Sequence, residues 1–279
     1  MADFRIPPAD LLAGLLEQCR KAGADAADAR IGEADGVGVA VRDGKLESIE
    51  REESVSVALR CFYGKRQAHV SSADLSADGL KLLAERCVAM AKAVPEDKYC
   101  GLPDASMLAT GDLDMDLSGE PELAAQTLED NAMAAEAAAL AVPGIKTVAG
   151  CGASWNRSRR WVAASNGFSA YKTGSSTSLG LSAVAEKDGK MERDYDSWSV
   201  RFLKNMPSPE EIGKTAGDRT IARLGARKLG TRKAAVIYDR RVSASLIGAL
   251  LSAISGPSIA RGVSFLKERM GDQVFAKGI

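Results

Sequence analysis

The chain has 279 residues, of which 46% are hydrophobic and 27% are charged, and its formal net charge is zero. This composition is typical of a globular protein, and the balanced charge excludes a global attraction to nucleic acid or to an anionic membrane. No run approaches the roughly 18 apolar residues that span a bilayer. Because the first twelve residues carry an early acid and two prolines, we expect no secretion signal and a cytoplasmic location.

Cysteine and histidine usage narrows the chemistry further. The five cysteines are scattered and lack CxxC spacing, which favours free thiols over a disulfide framework. The single histidine, His69, excludes a histidine-rich zinc site within this chain. His69 is also the one candidate for a Cys–His pair, with Cys61 across a turn at Gly64. Ordinary packing on adjacent strands is the favoured interpretation.

The first predicted elements are a helix and a group of strands. The helix runs from Pro8 to about Lys21 with its leucines on one side. From Ala26 the apolar period changes to two, which predicts about four antiparallel strands. They begin with Ala29–Ile31 and Val37–Val41, which a hairpin turn at Asp43–Gly44 follows, and they include Ser54–Phe62. An amphipathic helix follows from Ser76 to Val94.

An acidic stretch, residues 96–120, separates this group from the next. Its glycines, prolines and acids predict an extended surface connector. The sequence DLDMD at Asp112–Asp116 is a weak candidate for a calcium site. It lacks the glycine and the distal glutamate of an EF-hand loop, so a solvated linker is the favoured interpretation.

The same order of elements is predicted again after the connector. A helix over residues 121–142 precedes four strands, at 146–155, 160–166, 168–186 and 191–202, and a helix from Ser208 to about Leu229. We therefore predict an α+β fold of antiparallel sheets with flanking helices, built as two helix–four-strand–helix units. A diverged internal repeat and two independent units both remain open.

This pattern also predicts the domain organisation. We expect an N-terminal α+β domain over residues 1–230, with sub-units at about 1–95 and 121–230 on either side of the connector. Residues 231–279 are expected to be the start of an incomplete C-terminal domain.

The C-terminal stretch is predicted to form a strand at 234–238 and then a helix. Val242, Leu246, Leu250 and Ile254 recur at the spacing of a buried face. Ser255–Pro257 ends the helix. This helix contains no histidine, glutamate or cysteine. The polar tail after it is too short to bury a core, so we expect the chain to continue beyond this point or in a partner.

The glycine pairs and the basic runs of the sequence each have two competing interpretations. The pairs Gly36-x-Gly38 and Gly150-x-Gly152 lie within strands, which argues against a dinucleotide fingerprint. Arg157–Arg160 between two tryptophans could bind a nucleic acid strand, but a solvated hairpin is favoured. A basic stripe between Lys214 and Arg241 could bind an acidic partner or a phosphate, with a solvated helix face as the alternative. The residues that we select from this stripe are Arg223, Arg227 and Arg241.

Three segments together resemble the TldD/PmbA family. They are residues 41–76, beginning VRDGKLESIE, residues 163–196, beginning AASNGFSAYK, and residues 230–279, which include SLIGALLSAISGPSIARG. The last segment is similar to the PmbA (TldE) side of the family. The resemblance implies a cytoplasmic two-subunit zinc metalloprotease whose members continue through a β-rich C-terminal domain. TldD carries an HExxxH motif, in which two imidazoles hold zinc and the glutamate serves as general base.

The shared segments Arg261–Ser264 and Gly271–Val274 place that motif on the C-terminal helix. Its histidine, glutamate and second histidine positions then fall on Ile247, Gly248 and Ser252, none of which can bind zinc or a proton as required. The resemblance therefore implies a non-catalytic subunit without a cofactor of its own.

The same resemblance implies the partners of such a subunit. Zinc is expected in a TldD-like partner, to which this chain would present unfolded peptide. A homodimer in the absence of that partner is left open. The alternative is a regulatory binding protein, a modulator of DNA gyrase or of a toxin–antitoxin pair. An independent Cys or Ser enzyme has no supporting constellation.

Overall fold

A computed structural model of the chain describes residues 6–111, 114–119 and 121–278. The N-terminal residues 1–5 and the first two residues of DLDMD lie outside the described residues. The chain divides into two compact units, Met1–Ala226 and Arg227–Ile279. No helix among the described residues is both long enough and apolar enough to cross a lipid bilayer.

The first half of the N-terminal unit is a helix, three strands and a helix. These elements are α1 (Pro8–Lys21), β1 (Ala26–Arg42), β2 (Lys45–Tyr63), β3 (Arg66–Ser72) and α2 (Ala77–Ala93). Helix α2 begins at Ser76, whose hydroxyl accepts a hydrogen bond from the amide of Gly79, because an exposed first-turn N–H needs such a partner. Both helices turn their apolar side toward the sheet.

The second half repeats this order. Its elements are α3 (Ala125–Leu140), β4 (Ile145–Ala164), β5 (Ser169–Lys187), β6 (Lys190–Val200) and α4 (Pro209–Ala222). The connector between the halves contains one short 3₁₀ helix, Ala105–Met107, and is otherwise irregular where it is described, in agreement with the prediction. Helix α4 is shorter than predicted, since it ends at Ala222 rather than near Leu229.

All six strands form one antiparallel sheet in the order β3-β2-β1-β4-β5-β6. The predicted α+β class is confirmed. The predicted count of four strands in each half is wrong, because β1, β2 and β4 run without interruption through places where the apolar alternation lapses. At those places charged residues continue the ladder in register.

The helices cover one face of the sheet as two separate pairs. Helices α1 and α2 bury an apolar cluster that includes Leu12, Ile31 and Leu59. Helices α3 and α4 bury a second cluster that includes Leu128 and Trp155. Side chains alternate between the two faces along a strand, so one face of β1 supplies residues to both clusters. On the opposite face of the sheet, no helix is found in the described part of residues 6–226.

A charged seam lies between the two clusters on the helix-covered face. Asp35 lies opposite Arg157 in the β1–β4 register, and Glu33 lies opposite Arg159. Arg157 Nη2 is 2.8 Å from Asp35 Oδ2, and Arg159 Nε is 3.1 Å from Glu33 Oε2. Both carboxylates are buried, and buried charges of this kind need such partners. The seam explains why β1 and β4 stay continuous where a break was predicted.

A buried carboxylate also holds the first hairpin turn. Glu136 of α3 accepts hydrogen bonds from the amides of Asp43 and Gly44, at 3.0 and 2.8 Å. Both turn residues have positive φ, 52° and 67°, as a tight two-residue hairpin requires. The predicted turn at Asp43–Gly44 is confirmed, and Glu136 adds hydrogen bonds to the apolar packing of α3 on β1.

The C-terminal unit is mostly helix and loop. It contains α5 (Arg240–Ala253) and α6 (Gly256–Ala260). The strand predicted at 234–238 is wrong, because residues 232–239 form no strand and Ile237 is 95% exposed. An apolar segment becomes a strand only where a neighbouring strand pairs with its backbone.

The predicted helix and its end at Ser255 are confirmed, but its predicted buried stripe is wrong. Val242, Leu246 and Ile254 are each about half exposed, and Leu250 is partly buried. Ser264 donates to the carbonyl of Ala253 at the end of the helix, but most of the stripe stays open.

Candidate functional site

Helix α5 carries the three positions that the family resemblance assigns to the zinc motif. Ile247 is 56% exposed, Ser252 is exposed, and a Cβ atom added at Gly248 would meet no heavy atom within 4 Å. The helix is regular over this stretch. In such a helix, positions five residues apart point about 140° away from each other, so residues 247 and 252 do not face a common point.

The residues at these positions do not fit a metal ion. An alkyl group, a hydrogen atom and a neutral hydroxyl supply neither the nitrogen nor the carboxylate ligands that zinc takes in proteins. Across residues 6–111, 114–119 and 121–278, no group of three or more His, Cys, Asp or Glu is arranged to hold a metal ion. Helix α5 therefore offers space at the motif positions without metal-binding chemistry.

The candidate Cys–His pair is not formed. In the β2–β3 register His69 lies opposite Arg60, and Cys61 lies opposite Ala68. Neighbouring positions point to opposite faces of a sheet, so Cys61 is buried beneath the helices while His69 is exposed on the other face. The two side chains therefore neither form a pair nor pack against each other, and Cys61 alone belongs to the buried core.

The five thiols are buried and free, as predicted. A hydrogen bond with Cys19 raises the pKa of Cys61 to about 12, and burial raises the pKa of Cys151 to about 12. A thiol must lose its proton to act as a nucleophile. Both groups therefore stay protonated at neutral pH, which agrees with the absence of a cysteine-based mechanism in the sequence.

The basic stripe is divided and partly neutralised. Arg223 follows the end of α4, and its Nη1 lies 3.4 Å from Asp194 Oδ2 and its Nε 3.7 Å from Glu192 Oε2. Arg219 pairs with Asp196 in the same way. Arg227 and Arg241 belong to the C-terminal unit, where Arg241 lies in the first turn of α5. A continuous basic helix face of the kind considered above does not form, because α4 ends at Ala222.

The second basic run also has a structural role. Arg157 and Arg159 lie in the charged seam, whereas Arg160 points to the other face and is exposed. Two of the three arginines that could have contacted a nucleic acid are thus committed to buried carboxylates. The alternation of strand residues separates them from the third.

A groove crosses the helix-free face of the sheet. It is a cavity of about 390 Å³ whose floor is built from small residues of three strands, among them Gly36, Ser158, Gly174 and Ser176. One row of directly opposed residues runs along it, Glu52, Gly36, Asn156 and Ser176. Arg201 stands at the far end, after the last paired residue of β6.

The polar groups of this groove are held in defined positions. A Cβ atom on Gly36 would lie 2.4 Å from Asn156 Oδ1, so the Asn156 amide lies directly on this glycine. Arg201 Nη1 donates to the carbonyl of Leu117 at 2.9 Å and would lie 3.3 Å from a Cβ on Gly174. The two charged ends and the central amide therefore share one surface.

Sequence patterns did not identify the groove. Its residues come from β2, β1, β4, β5 and the end of β6, and they meet only through the register of five strands. The available signal is the unusual number of glycines and serines at alternating positions of β1, β4 and β5. Glycine within a strand often marks the close approach of a ligand or another backbone.

Three models of one protein family match the chain. They describe domain 1 of the PmbA/TldA metallopeptidases at residues 27–91, the central domain at 116–224 and the C-terminal domain at 231–279. Together these ranges take in most of the chain. The first two cover the halves of the sheet on either side of the connector, and the third covers the unit that contains α5.

Curated relatives give the same result. The chain is 30% identical over 251 residues to Metalloprotease PmbA of Escherichia coli O157:H7, which is 90% of this chain and 56% of the relative. It is 28% identical over 261 residues to a Metalloprotease PmbA homolog of Haemophilus influenzae, covering 93% and 57%. The chain thus spans somewhat more than half the length of these relatives.

Solved structures share the fold. A Bacteroides thetaiotaomicron protein described as a modulator of DNA gyrase has a TM-score of 0.84 at 20% identity, over 95% of this chain and 61% of its own. TldE from Thermococcus kodakarensis has a TM-score of 0.70 at 16% identity, over 92% and 58%. At these identities the likeness concerns the fold.

Proposed function

This chain belongs to the PmbA/TldA metallopeptidase family, the family that its sequence segments resemble, and we propose that it is a non-catalytic, PmbA-like subunit. In this proposal a TldD-like partner carries the zinc ion and performs the hydrolysis. The present chain pairs with that partner in the cytoplasm and helps to hold an unfolded peptide near the partner's active site.

The content of α5 carries the proposal. The positions matched to the zinc motif hold Ile247, Gly248 and Ser252 on a regular helix, and none of these side chains is a zinc ligand or a general base. A member of a metallopeptidase family that lacks these groups at the motif needs another chain to supply them. The names of the relatives, which are called metalloproteases, support proteolysis as the activity that this subunit would assist.

The C-terminal unit supplies the apolar surface that a subunit contact needs. Its exposed large apolar residues are Leu229, Val236, Ile237, Tyr238, Val242, Leu246, Ile247, Leu251, Ile254, Val263, Phe265, Met270, Val274 and Phe275. Large exposed apolar surfaces of this kind often mark a site of protein–protein contact. We propose that the partner subunit, together with any further part of this protein, covers it.

The sheet offers an edge at which an extended peptide can add as a further strand. Strand β2 is paired with β3 only from Val57 onward, and within residues 6–226 that the structure describes no strand lies along the outer edge of its first half. Backbone hydrogen bonds at such an edge are largely independent of peptide sequence. This agrees with a subunit that handles unfolded peptides of differing sequence.

Co-purification with the TldD-like chain from the same genome tests the proposal. Each protein alone and an equimolar mixture would be incubated with an unfolded protein substrate, and the peptide products measured. We expect a stable complex, no hydrolysis by this chain and faster hydrolysis by the mixture than by the partner alone. Failure of the two chains to associate, together with unchanged hydrolysis in the mixture, would contradict the proposal.

A regulatory binding role is the second candidate, and we infer it from the names of two similar structures. The proteins from Bacteroides thetaiotaomicron and Thermotoga maritima are both described as modulators of DNA gyrase. The ion pairs of Arg219 and Arg223 weigh against direct DNA contact by the basic residues of α4. A proteolytic complex that degrades a regulator of gyrase would also modulate gyrase, without direct contact between this chain and DNA.

A further inference from the structure

We propose that the groove on the helix-free face binds a short peptide with free ends, with its α-amino group at Glu52 and its α-carboxylate at Arg201. A peptide of this size is the kind of product that a protease releases, so the ligand class rests on the proposed function. The binding itself depends only on the chemistry of the groove.

The charges at the two ends of the groove carry this inference. Glu52 is exposed on β2, and no hydrogen bond or ion pair of its carboxylate is found among the described residues. Arg201 uses Nη1 for the carbonyls of Leu117 and Ser175, at 2.9 and 3.5 Å. Its guanidinium keeps further N–H donors in a planar fork that suits a carboxylate. A ligand with one positive and one negative end matches this arrangement.

The length of the row sets the size of the ligand. Glu52 lies on β2, and the Arg201 guanidinium lies against Gly174 and Ser175 of β5, three strand spacings away. Adjacent strands are about 4.8 Å apart, so the two charged ends are about 14 Å apart. An extended chain advances about 3.3 Å per residue. A peptide of about four to five residues therefore reaches from one charged end to the other.

The floor of the groove favours a peptide backbone over large side chains. Most of the lining is glycine, serine and alanine, with Val200 at one end. The Asn156 amide lies over Gly36 and the Arg201 guanidinium over Gly174, so a ligand meets polar groups at these positions. The Asn156 amide at the centre has both a donor and an acceptor, which pairs with the C=O and N–H of a peptide unit. Little preference for ligand sequence follows from this lining.

Titration of the full chain with pentaalanine, followed by NMR chemical shifts, tests the inference. We expect saturable binding that weakens about fivefold when the peptide is N-acetylated and about fivefold when it is C-amidated, since each change removes one partly exposed charge contact. Absence of binding, or equal affinity for the free and the doubly blocked peptide, would overturn the inference.

Two variants test which residue of the groove binds each end of the peptide. Glu52→Gln is expected to weaken binding of free pentaalanine about fivefold and to abolish the effect of N-acetylation, while the effect of C-amidation remains. Arg201→Gln is expected to do the converse. Glu50→Gln and Arg160→Gln alter exposed charges on the same face of β2 and β4 outside the groove. They serve as matched controls and should bind like the unaltered chain.

The outcomes separate this inference from the proposed function. Thermal unfolding of each variant shows whether the fold is retained, which matters for Arg201 because it also holds Leu117. If an Arg201 variant is destabilised, the Glu52→Gln variant tests the inference alone. An N-acetylation effect on affinity that is unchanged in Glu52→Gln overturns the inference. Peptide binding without hydrolysis by the two-chain mixture would retain the groove and reject the proposed function, and hydrolysis without binding would do the reverse.

Discussion

Apolar helices of equal length are buried in the N-terminal unit and exposed in the C-terminal unit. In the N-terminal unit α1 turns Leu12 and Leu15 into the sheet, where each is 1% exposed. In the C-terminal unit α5 leaves Leu246 49% exposed and Ile247 56% exposed. Both helices have 14 residues and a clear apolar stripe. The difference lies in whether a second surface is present, because a helix stripe is buried only against another element.

This comparison locates stability and interaction in different parts of the chain. The N-terminal unit has a sheet with two covered clusters and a charged seam, so its free energy of unfolding depends on its own residues. The C-terminal unit exposes its apolar residues, so their burial depends on what binds to them. Substitutions in the two units should therefore affect different measurements.

The largest expected effect is on a buried leucine of the first unit. Leu12→Ala should lower the free energy of unfolding by about 3 kcal/mol, because it removes buried methyl groups and leaves a cavity. Leu246→Ala is the matched control in α5 and should change it by less than about 0.5 kcal/mol. Urea unfolding monitored by circular dichroism measures both. Equal losses in the two variants would contradict the comparison.

The second-largest effect on stability is expected for the charged seam. Asp35→Ala leaves Arg157 without its buried carboxylate partner and should cost about 2–3 kcal/mol, near the lower end of values for broken buried pairs since Arg157 is partly exposed. Glu17→Ala breaks a solvent-exposed pair with Arg20 on α1 and should have almost no effect. If urea unfolding gave similar stabilities for the two variants, the seam would not stabilise the sheet.

The pH effect of thiol ionisation should belong to the first unit, because all five cysteines lie there. Burial raises the pKa of Cys151 from an ordinary value of 9.0 to about 12. The stability that this thiol contributes is therefore complete below about pH 9 and is lost as the pH rises toward 12, because the unfolded thiol ionises first. The loss is at most about 1.4 kcal/mol per pH unit.

Comparison of the unaltered chain with Cys151→Ala isolates this effect from other titrating groups. The difference in free energy of unfolding between the two proteins should shrink from pH 8 to pH 10.5, as measured by urea unfolding. A difference that stays constant over that range would show that the thiol ionises equally in the folded and unfolded states.

The smallest expected effect concerns nucleic acid. Arg223 belongs to the first unit and pairs with Asp194, whereas Arg227 belongs to the second. Reversal of both charges, Arg223→Glu with Arg227→Glu, should change binding to duplex DNA by less than about twofold at 0.15 M salt. Salt-dependent DNA binding by the unaltered chain that this double variant loses would instead favour the regulatory alternative.

The sequence predicted the helices of the first unit well, and the strands less well. The leucine spacing of α1, the start of α2 at about Ser76 and the turn at Asp43–Gly44 are local signals, and each was confirmed. The continuity of β1 depends on Glu33 and Asp35 meeting arginines more than 120 residues away. An apolar alternation rule has no means of recognising such pairs.

The two candidate sites also differ in whether a local sequence signal identifies them. The zinc-motif positions on α5 could be assigned from the sequence, because the motif is contiguous. The groove could not, since Glu52, Asn156 and Arg201 come together only through the strand register. The predicted strand at 234–238 failed for a related reason: an extended apolar segment needs a partner strand, and none is described beside it.

Zinc content of the purified chain, measured together with its peptidase activity, tests the central claim most directly. The chain would be incubated with excess zinc, freed of loosely bound metal on a desalting column and examined by mass spectrometry for metal and by hydrolysis of an unfolded protein substrate. We predict far less than one zinc ion per chain and no hydrolysis. One tightly bound zinc ion per chain together with hydrolysis would contradict the account of this chain as a non-catalytic subunit.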